Sequence, residues 1–156
     1  MVRVFVVYDT QYGNTKLVAE KIAEGMRELN GIETEVSDVK KVDLKKIDSF
    51  DAILIGAPIH FGKSSRTIMK FIDKLGGLKL KTKGVAVFDT FLGEDFEKGV
   101  KQMEKRLEEK VPLLKLMTSG LSIRVDEIKG PITEGELPKA LDFGKKIADQ
   151  LKPELS

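Results

Sequence analysis

Residues 2–15 read VRVFVVYDTQYGNT. Val2, Val4, Phe5, Val6 and Val7 make a nearly continuous apolar run, the pattern of a strand buried on both faces of a parallel sheet. Thr10, Gln11, Tyr12, Gly13, Asn14 and Thr15 follow at once, and Leu17, Val18, Ile22, Met26 and Leu29 then recur at helical spacing. The polar turn therefore stands at a helix N-terminus, where unpaired N–H groups and the positive end of the helix dipole favour a phosphate dianion. Thr10 and Thr15 add hydroxyls and Asn14 an amide. Capping needs one such residue, whereas this turn crowds three and a glycine into six positions. No Lys or Arg stands within it, the next being Lys16. Neutral donors suit a phosphomonoester on a larger cofactor better than a nucleotide triphosphate with its metal.

The 156 residues are expected to form one domain, 1–156, with a core of useful size. There is no cysteine, which excludes disulfides, iron–sulfur clusters, thiolate zinc sites and thiol catalysis. His60 is the one histidine, so a multi-histidine metal site is ruled out and no metal is expected. Lys and Arg number 27 against 25 Asp and Glu, a net charge of +2, and this balance does not call for a nucleic acid partner. No window reaches the roughly 20 apolar residues that cross a bilayer, and the N-terminus lacks a secretory pattern. The expected location is cytoplasmic, with no membrane partner.

Strand and helix patterns alternate beyond the first unit. Ile32, Thr34 and Val36 alternate with Glu33, Glu35 and Ser37 as in a half-exposed edge strand. Residues 52–56 (AILIG) form a short buried strand, residues 64–75 a helix, and residues 85–88 (VAVF) a fourth strand. Phe96, Val100, Met103 and Leu107 mark a helix; residues 113–117 and 121–125, parted by Ser119-Gly120, read as one interrupted fifth strand. The last helix begins near Leu137, with Pro138 tolerated in its first turn. Such alternation implies a doubly wound α/β fold: five parallel strands joined by right-handed crossovers, with helices on both faces. A polar second strand and polar loops after strands one, three and four select the order 2-1-3-4-5, with a ligand cleft between the carboxyl ends of strands one and three.

Two more loops open on that cleft. One contains Pro58, Ile59, His60, Phe61 and Gly62, and the other Thr90, Phe91, Leu92 and Gly93. Each pairs an aromatic residue with glycine, and either can lie against a planar ring. Here the sequence resembles the flavodoxins: TQYGNT is similar to their FMN-phosphate loop, with Tyr12 where threonine is common. Residues 58–62 (PIHFG) and 71–78 (FIDKLGGL) resemble flavodoxin-like quinone reductases, and 143–148 (FGKKIA) resembles the last flavodoxin helix.

The resemblance implies FMN as cofactor. Residues Thr10 to Thr15 would hold its phosphate; Pro58, Ile59, His60, Phe61 and Gly62 would line one side of the flavin, and Thr90, Phe91, Leu92 and Gly93 the other. The Gly62 carbonyl would meet the flavin N5 when one electron is added, since glycine tolerates the peptide flip. With no tryptophan, and tyrosines only at 8 and 12, stacking falls to Phe61, Phe91, His60, Ile59 or Leu92. Flavodoxins are often strongly acidic, and the net charge of +2 departs from that. A flavin without nearby cations other than Lys63 is expected to have a low potential. His60 either stacks on or titrates beside the flavin, or is an exposed loop residue.

Near-matches to other sites fail. Gly56 and Gly62 enclose five residues where a P-loop needs four, no acidic residue ends the third strand as in a receiver domain, and no GxGxxG occurs. The preferred expectation is a low-potential one-electron carrier serving redox partner proteins. The alternative is an FMN-dependent NAD(P)H:quinone oxidoreductase transferring hydride, which would imply a homo-oligomer. A domain that has lost FMN is disfavoured by the intact turn.

Overall fold

Apolar runs and amphipathic segments take turns along this chain, and the computed structural model, which describes residues 1–81 and 83–152, turns each into a strand or a helix. The order is β1 (Val2–Tyr8), α1 (Asn14–Arg27), β2 (Ile32–Asp38), β3 (Ala52–His60), β4 (Lys63–Ser64), α2 (Arg66–Gly76), β5 (Lys83–Phe91), α3 (Lys98–Lys110), β6 (Leu114–Leu116), β7 (Leu121–Arg124) and α4 (Leu137–Leu151).

Strands β2, β1, β3 and β5 lie side by side in parallel, and β6 and β7 share the far edge of β5. β6 pairs with Lys83–Val85 and β7 with Phe88–Phe91, so together they are the two halves of the interrupted fifth strand. With β5 as the fourth long strand, this is the expected 2-1-3-4-5 order.

Consecutive strand residues point to opposite faces. Phe5, Val7, Ile53, Ile55, Val85 and Val87 pack under α2 and α3, while Val4, Val6, Leu54, Ala86 and Phe88 pack under α1 and α4. Helices α1 and α4 touch backbone to backbone: a Cβ on Gly25 would overlap the Leu141 carbonyl, and one on Gly144 the Ile22 carbonyl. The apolar face of α4 thus closes over the helix that begins at the polar turn.

Several boundaries differ from the sequence expectation. β3 does not end at Gly56 but runs to His60, because β5 continues beside it as far as the Pro58–Thr90 pair and the chain then folds back on itself, Ile59 opposite Ser64 and His60 opposite Lys63. β5 likewise runs from Lys83 to Phe91 rather than over 85–88, and Phe96 lies in the turn before α3, exposed, rather than on the buried face of that helix. Ser64 belongs to β4, and α2 starts at Arg66 with Ser65 as its N-cap, its hydroxyl accepting from the Ile68 N–H at 3.4 Å. The β2–β3 connection holds two 3-10 turns, Val39–Lys41 and Leu44–Ser49, too short to show a period; Asp38 and Asp43 cap them.

Candidate functional site

The carboxyl ends of β1, β3, β5 and β7 converge on a cleft of about 230 Å³. The turn after β1 contributes Thr10, Gln11, Tyr12, Asn14 and Thr15; the β3–β4 hairpin contributes Pro58, Ile59, His60 and Phe61; the end of β5 contributes Thr90, Phe91 and Leu92. Gly13, Gly62 and Gly93 do not line it. They set the backbone around it, with φ of 92°, 75° and 68°, where only glycine is unstrained.

The polar turn is built to leave donors free. Gly13, in the left-handed conformation, is the N-cap of α1, and no side chain caps the helix. Its N–H donates to Thr10 Oγ1 at 2.9 Å, which folds the turn on itself. Among the described residues, the N–H groups of Asn14, Thr15 and Lys16 find no acceptor. Three orphan donors and the helix dipole therefore stand at the cleft without a partner. Thr15 Oγ1 is buried and lies 2.8 Å from Thr90 Oγ1, which ties the turn to the end of β5.

The hairpin is the second wall. Phe61 and Gly62 have φ of 51° and 75°, the pair of positive values that a two-residue type I′ turn needs. A phenylalanine at positive φ is strained by about 1–3 kcal/mol, yet the Phe61 ring is 100% exposed at the cleft mouth. Gln102 on α3 holds the hairpin from behind: its Nε2 donates to the Gly62 carbonyl and its Oε1 accepts from the Ser64 N–H, both at 2.8 Å. Ser64 Oγ in turn donates to the Gly99 carbonyl at 3.1 Å.

Phe91 lines the cleft from a buried position. Its ring is buried, edge-on to Phe96 at 5.5 Å and beneath the Arg124 guanidinium at 5.1 Å, so it offers no free face to a planar ligand. Leu92, which is exposed, presents the apolar surface on that side.

Asp95, Val125 and Ile128 complete the lining and were not singled out from the sequence. The segment after β7 also places Lys129 Nζ 5.9 Å from the Tyr12 ring centroid and packs Gly130 against the Asn14 side chain. A cation thus reaches the polar turn from 117 positions along the chain, where the turn itself contains none. The signal that could have found it is topological: the segment after the last strand emerges at the same edge of the sheet as the other loops.

Beneath Thr90 lies Asp89, fully buried. Ser122 Oγ donates to its Oδ1 at 2.6 Å, and the Val100 N–H in the first turn of α3 donates to its Oδ2 at 2.9 Å. Loss of water outweighs these bonds, and the carboxyl is pushed up to about 6, Glu97 adding to the rise. Ser122 Oγ also accepts from the Glu97 N–H at 2.9 Å, so one buried carboxylate joins β5, β7 and α3 under the cleft.

The residues fit a ligand with two unlike ends. Orphan amides stand at one end, and Tyr12, Phe61, Leu92 and Ile128, all exposed apolar side chains, line the cleft itself. A flavin mononucleotide has this character, a phosphate on a ribityl chain and a flat apolar ring. A family model for the flavodoxin domain matches residues 5–120. The chain belongs to the flavodoxin family.

Flavodoxin-family proteins bind flavin, typically FMN. The chain is 36% identical over 77 residues to a flavodoxin of Aquifex aeolicus (strain VF5), covering 49% of this chain and 42% of that one. It is 31% identical over 100 residues to an NAD(P)H dehydrogenase (quinone) of Gluconacetobacter diazotrophicus, covering 52% and 50%. The chain thus spans half or less of the length of these curated relatives. Its fold superposes on a flavodoxin from the domain Archaea with a TM-score of 0.82 at 24% identity, over 97% of this chain and 100% of that one. It superposes on the flavodiiron protein of Giardia intestinalis with a TM-score of 0.77 at 21% identity, over 95% of this chain and 36% of that one. Among the described residues no helix is long and apolar enough to cross a membrane.

Proposed function

We propose that this flavodoxin-family chain binds FMN in the cleft and works as a low-potential one-electron carrier between redox proteins. The observation that carries the reading is the pairing of an uncapped helix N-terminus with a slot of exposed apolar side chains. Asn14, Thr15 and Lys16 would hold the phosphate through their backbone N–H groups and Thr10 through its hydroxyl, with Gly13 shaping the turn. Ile59, His60 and Phe61 would cover one face of the ring, and Leu92 with Ile128 the other. FMN supplies reversible single-electron chemistry when bound. The chain's own residues bind it, keep water from one side and set the charge around it.

That charge supports a low potential. Among the described residues no Lys or Arg lines the cleft, whereas the carboxylate of Asp95 does, its charge partly offset by Lys98 at 2.9 Å. Negative charge beside a ring that becomes anionic on reduction opposes that reduction. Lys129 stands at the phosphate end, beside Tyr12.

A second reading is supported by the likeness to the Gluconacetobacter quinone reductase: hydride transfer from NAD(P)H to a quinone. Anaerobic potentiometric titration of the FMN-loaded protein separates the two. Two resolved one-electron steps, with no oxidation of NADH in the presence of a quinone, are the expected result. A single two-electron step with quinone-dependent NADH oxidation would move the assignment to the enzyme. Failure to take up FMN would end both readings.

A further inference from the structure

The net charge of +2 conceals a segregation around the mouth of the cleft. The loops after β5 and β7 carry Glu94, Asp95, Glu97, Asp126, Glu127 and Glu134. Cations on that side are engaged: Lys98 pairs with Asp95 and Lys139 with Glu136, while Arg124 and Lys129 lie over Phe91 and Tyr12. Away from those loops, the segment after β2 and the exposed face of α2 carry Lys40, Arg66, Lys70 and Lys74, and Lys63 follows the hairpin tip, whose Gly62 adjoins Asp95 and Lys98. All five are exposed, and among the described residues none forms an ion pair.

The acidic groups nearest them are fewer than the cations. Asp38 and Asp43 accept from the backbone N–H groups of Lys40 and Lys45, and Asp73 pairs with Arg106. Asp9 remains, at the cleft edge. The cations also share a continuous depression with the cleft. Pro58 and His60 at the cleft wall adjoin Lys40 and Thr67, and the same two residues border the next groove, walled by Lys70 and Lys74.

We propose that this basic side of the rim is the docking surface for an acidic electron-transfer protein. The inference rests on the carrier reading above and names the charge of the partner. Arg66, Lys70 and Lys74 stand at i, i+4 and i+8 on α2, a stripe about 12 Å long. That length is too great for one phosphate group and matches a patterned protein surface. Like charges at i, i+4 repel one another in the free helix, and an acidic partner relieves the repulsion. The stripe lies within a few Debye lengths of the flavin cleft, so it can steer a partner toward the ring edge.

The test uses the FMN-loaded full chain and two probes, a strongly acidic [2Fe–2S] ferredoxin and a basic cytochrome c, with binding measured by calorimetry and electron transfer by stopped flow. The ferredoxin is expected to bind more tightly than the cytochrome, and its Kd to rise roughly tenfold or more between 50 and 500 mM salt. The double variant Lys70→Glu, Lys74→Glu is expected to weaken ferredoxin binding at least tenfold while the flavin spectrum, potentials and melting temperature are kept. Tighter binding of the cytochrome, or unchanged ferredoxin binding in the double variant, would overturn the proposal. So would a variant that loses affinity for NADPH alone, which would assign the stripe to a dinucleotide. A holoprotein that shows two one-electron steps but no preference for the acidic probe refutes the docking surface and leaves the carrier reading standing.

Discussion

The side-chain amide of Gln102 spans the β3–β4 hairpin, donating to the Gly62 carbonyl and accepting from the Ser64 N–H, each at 2.8 Å. One residue of α3 thereby holds both sides of a turn whose tip is the exposed Phe61. Gln102→Leu removes both bonds and is expected to cost about 1–2 kcal/mol, with a several-fold loss of FMN affinity as the wall loosens. Gln102→Glu keeps the acceptor and loses the donor, so it separates the two contributions. Urea denaturation and fluorescence titration with FMN measure both effects; unchanged FMN affinity in the leucine variant would remove Gln102 from the site.

Phe61 trades stability for a surface. Phe61→Asn places a residue that tolerates positive φ at the tip and is expected to raise stability by about 1 kcal/mol. The same change removes the ring at the cleft mouth and should weaken FMN binding. Opposite signs in the two measurements are the expected result; loss of stability would mean that the ring packs on the protein.

Asp89 gives the fold a pH dependence of defined sign. Its carboxyl titrates at about 6 in the folded protein against an ordinary value of 3.8, so the folded state holds the proton more tightly than the unfolded chain. Its contribution to stability is full below about pH 4 and is lost as pH rises through 6, about 3 kcal/mol in all. Asp89→Asn is expected to flatten the stability profile between pH 4 and 6, measured as urea midpoints. An unchanged slope would assign the dependence to another group.

The Thr15–Thr90 hydroxyl pair is buried. Thr15→Val alone leaves the Thr90 hydroxyl without its partner and is expected to cost about 1–3 kcal/mol, while Thr15→Val with Thr90→Val costs less than the sum of the two single changes. A double-mutant cycle in the FMN-free protein reads this, and additive costs would mean that the pair is not coupled.

Lys129 enters the polar turn from outside it. Lys129→Gln is expected to weaken FMN binding about three- to tenfold at low salt and to reduce the salt dependence, with little effect on riboflavin, which has no phosphate. Equal losses for FMN and riboflavin would argue that the lysine acts through packing on Tyr12.

The local pattern of apolar residues determined much of this protein. Period-two and period-3.6 runs gave the strands and helices, and a polar second strand gave the strand order, because burial of a sheet face leaves few ways to arrange them. The polar turn was legible for the same reason, being the one segment where strand, donors and helix follow in sequence. Only the tertiary structure decided which of the candidate aromatics has a free face: Phe91 satisfies β-strand pairing and packs away beneath Arg124, while Phe61 is thrust outward by a strained turn that Gln102, forty residues on, holds in place. It likewise brought Asp95 and Ile128 to the cleft and Lys129 to the polar turn beside Tyr12. None of these contacts has a sequence period, since each joins segments that meet only because parallel strands end at the same edge of the sheet.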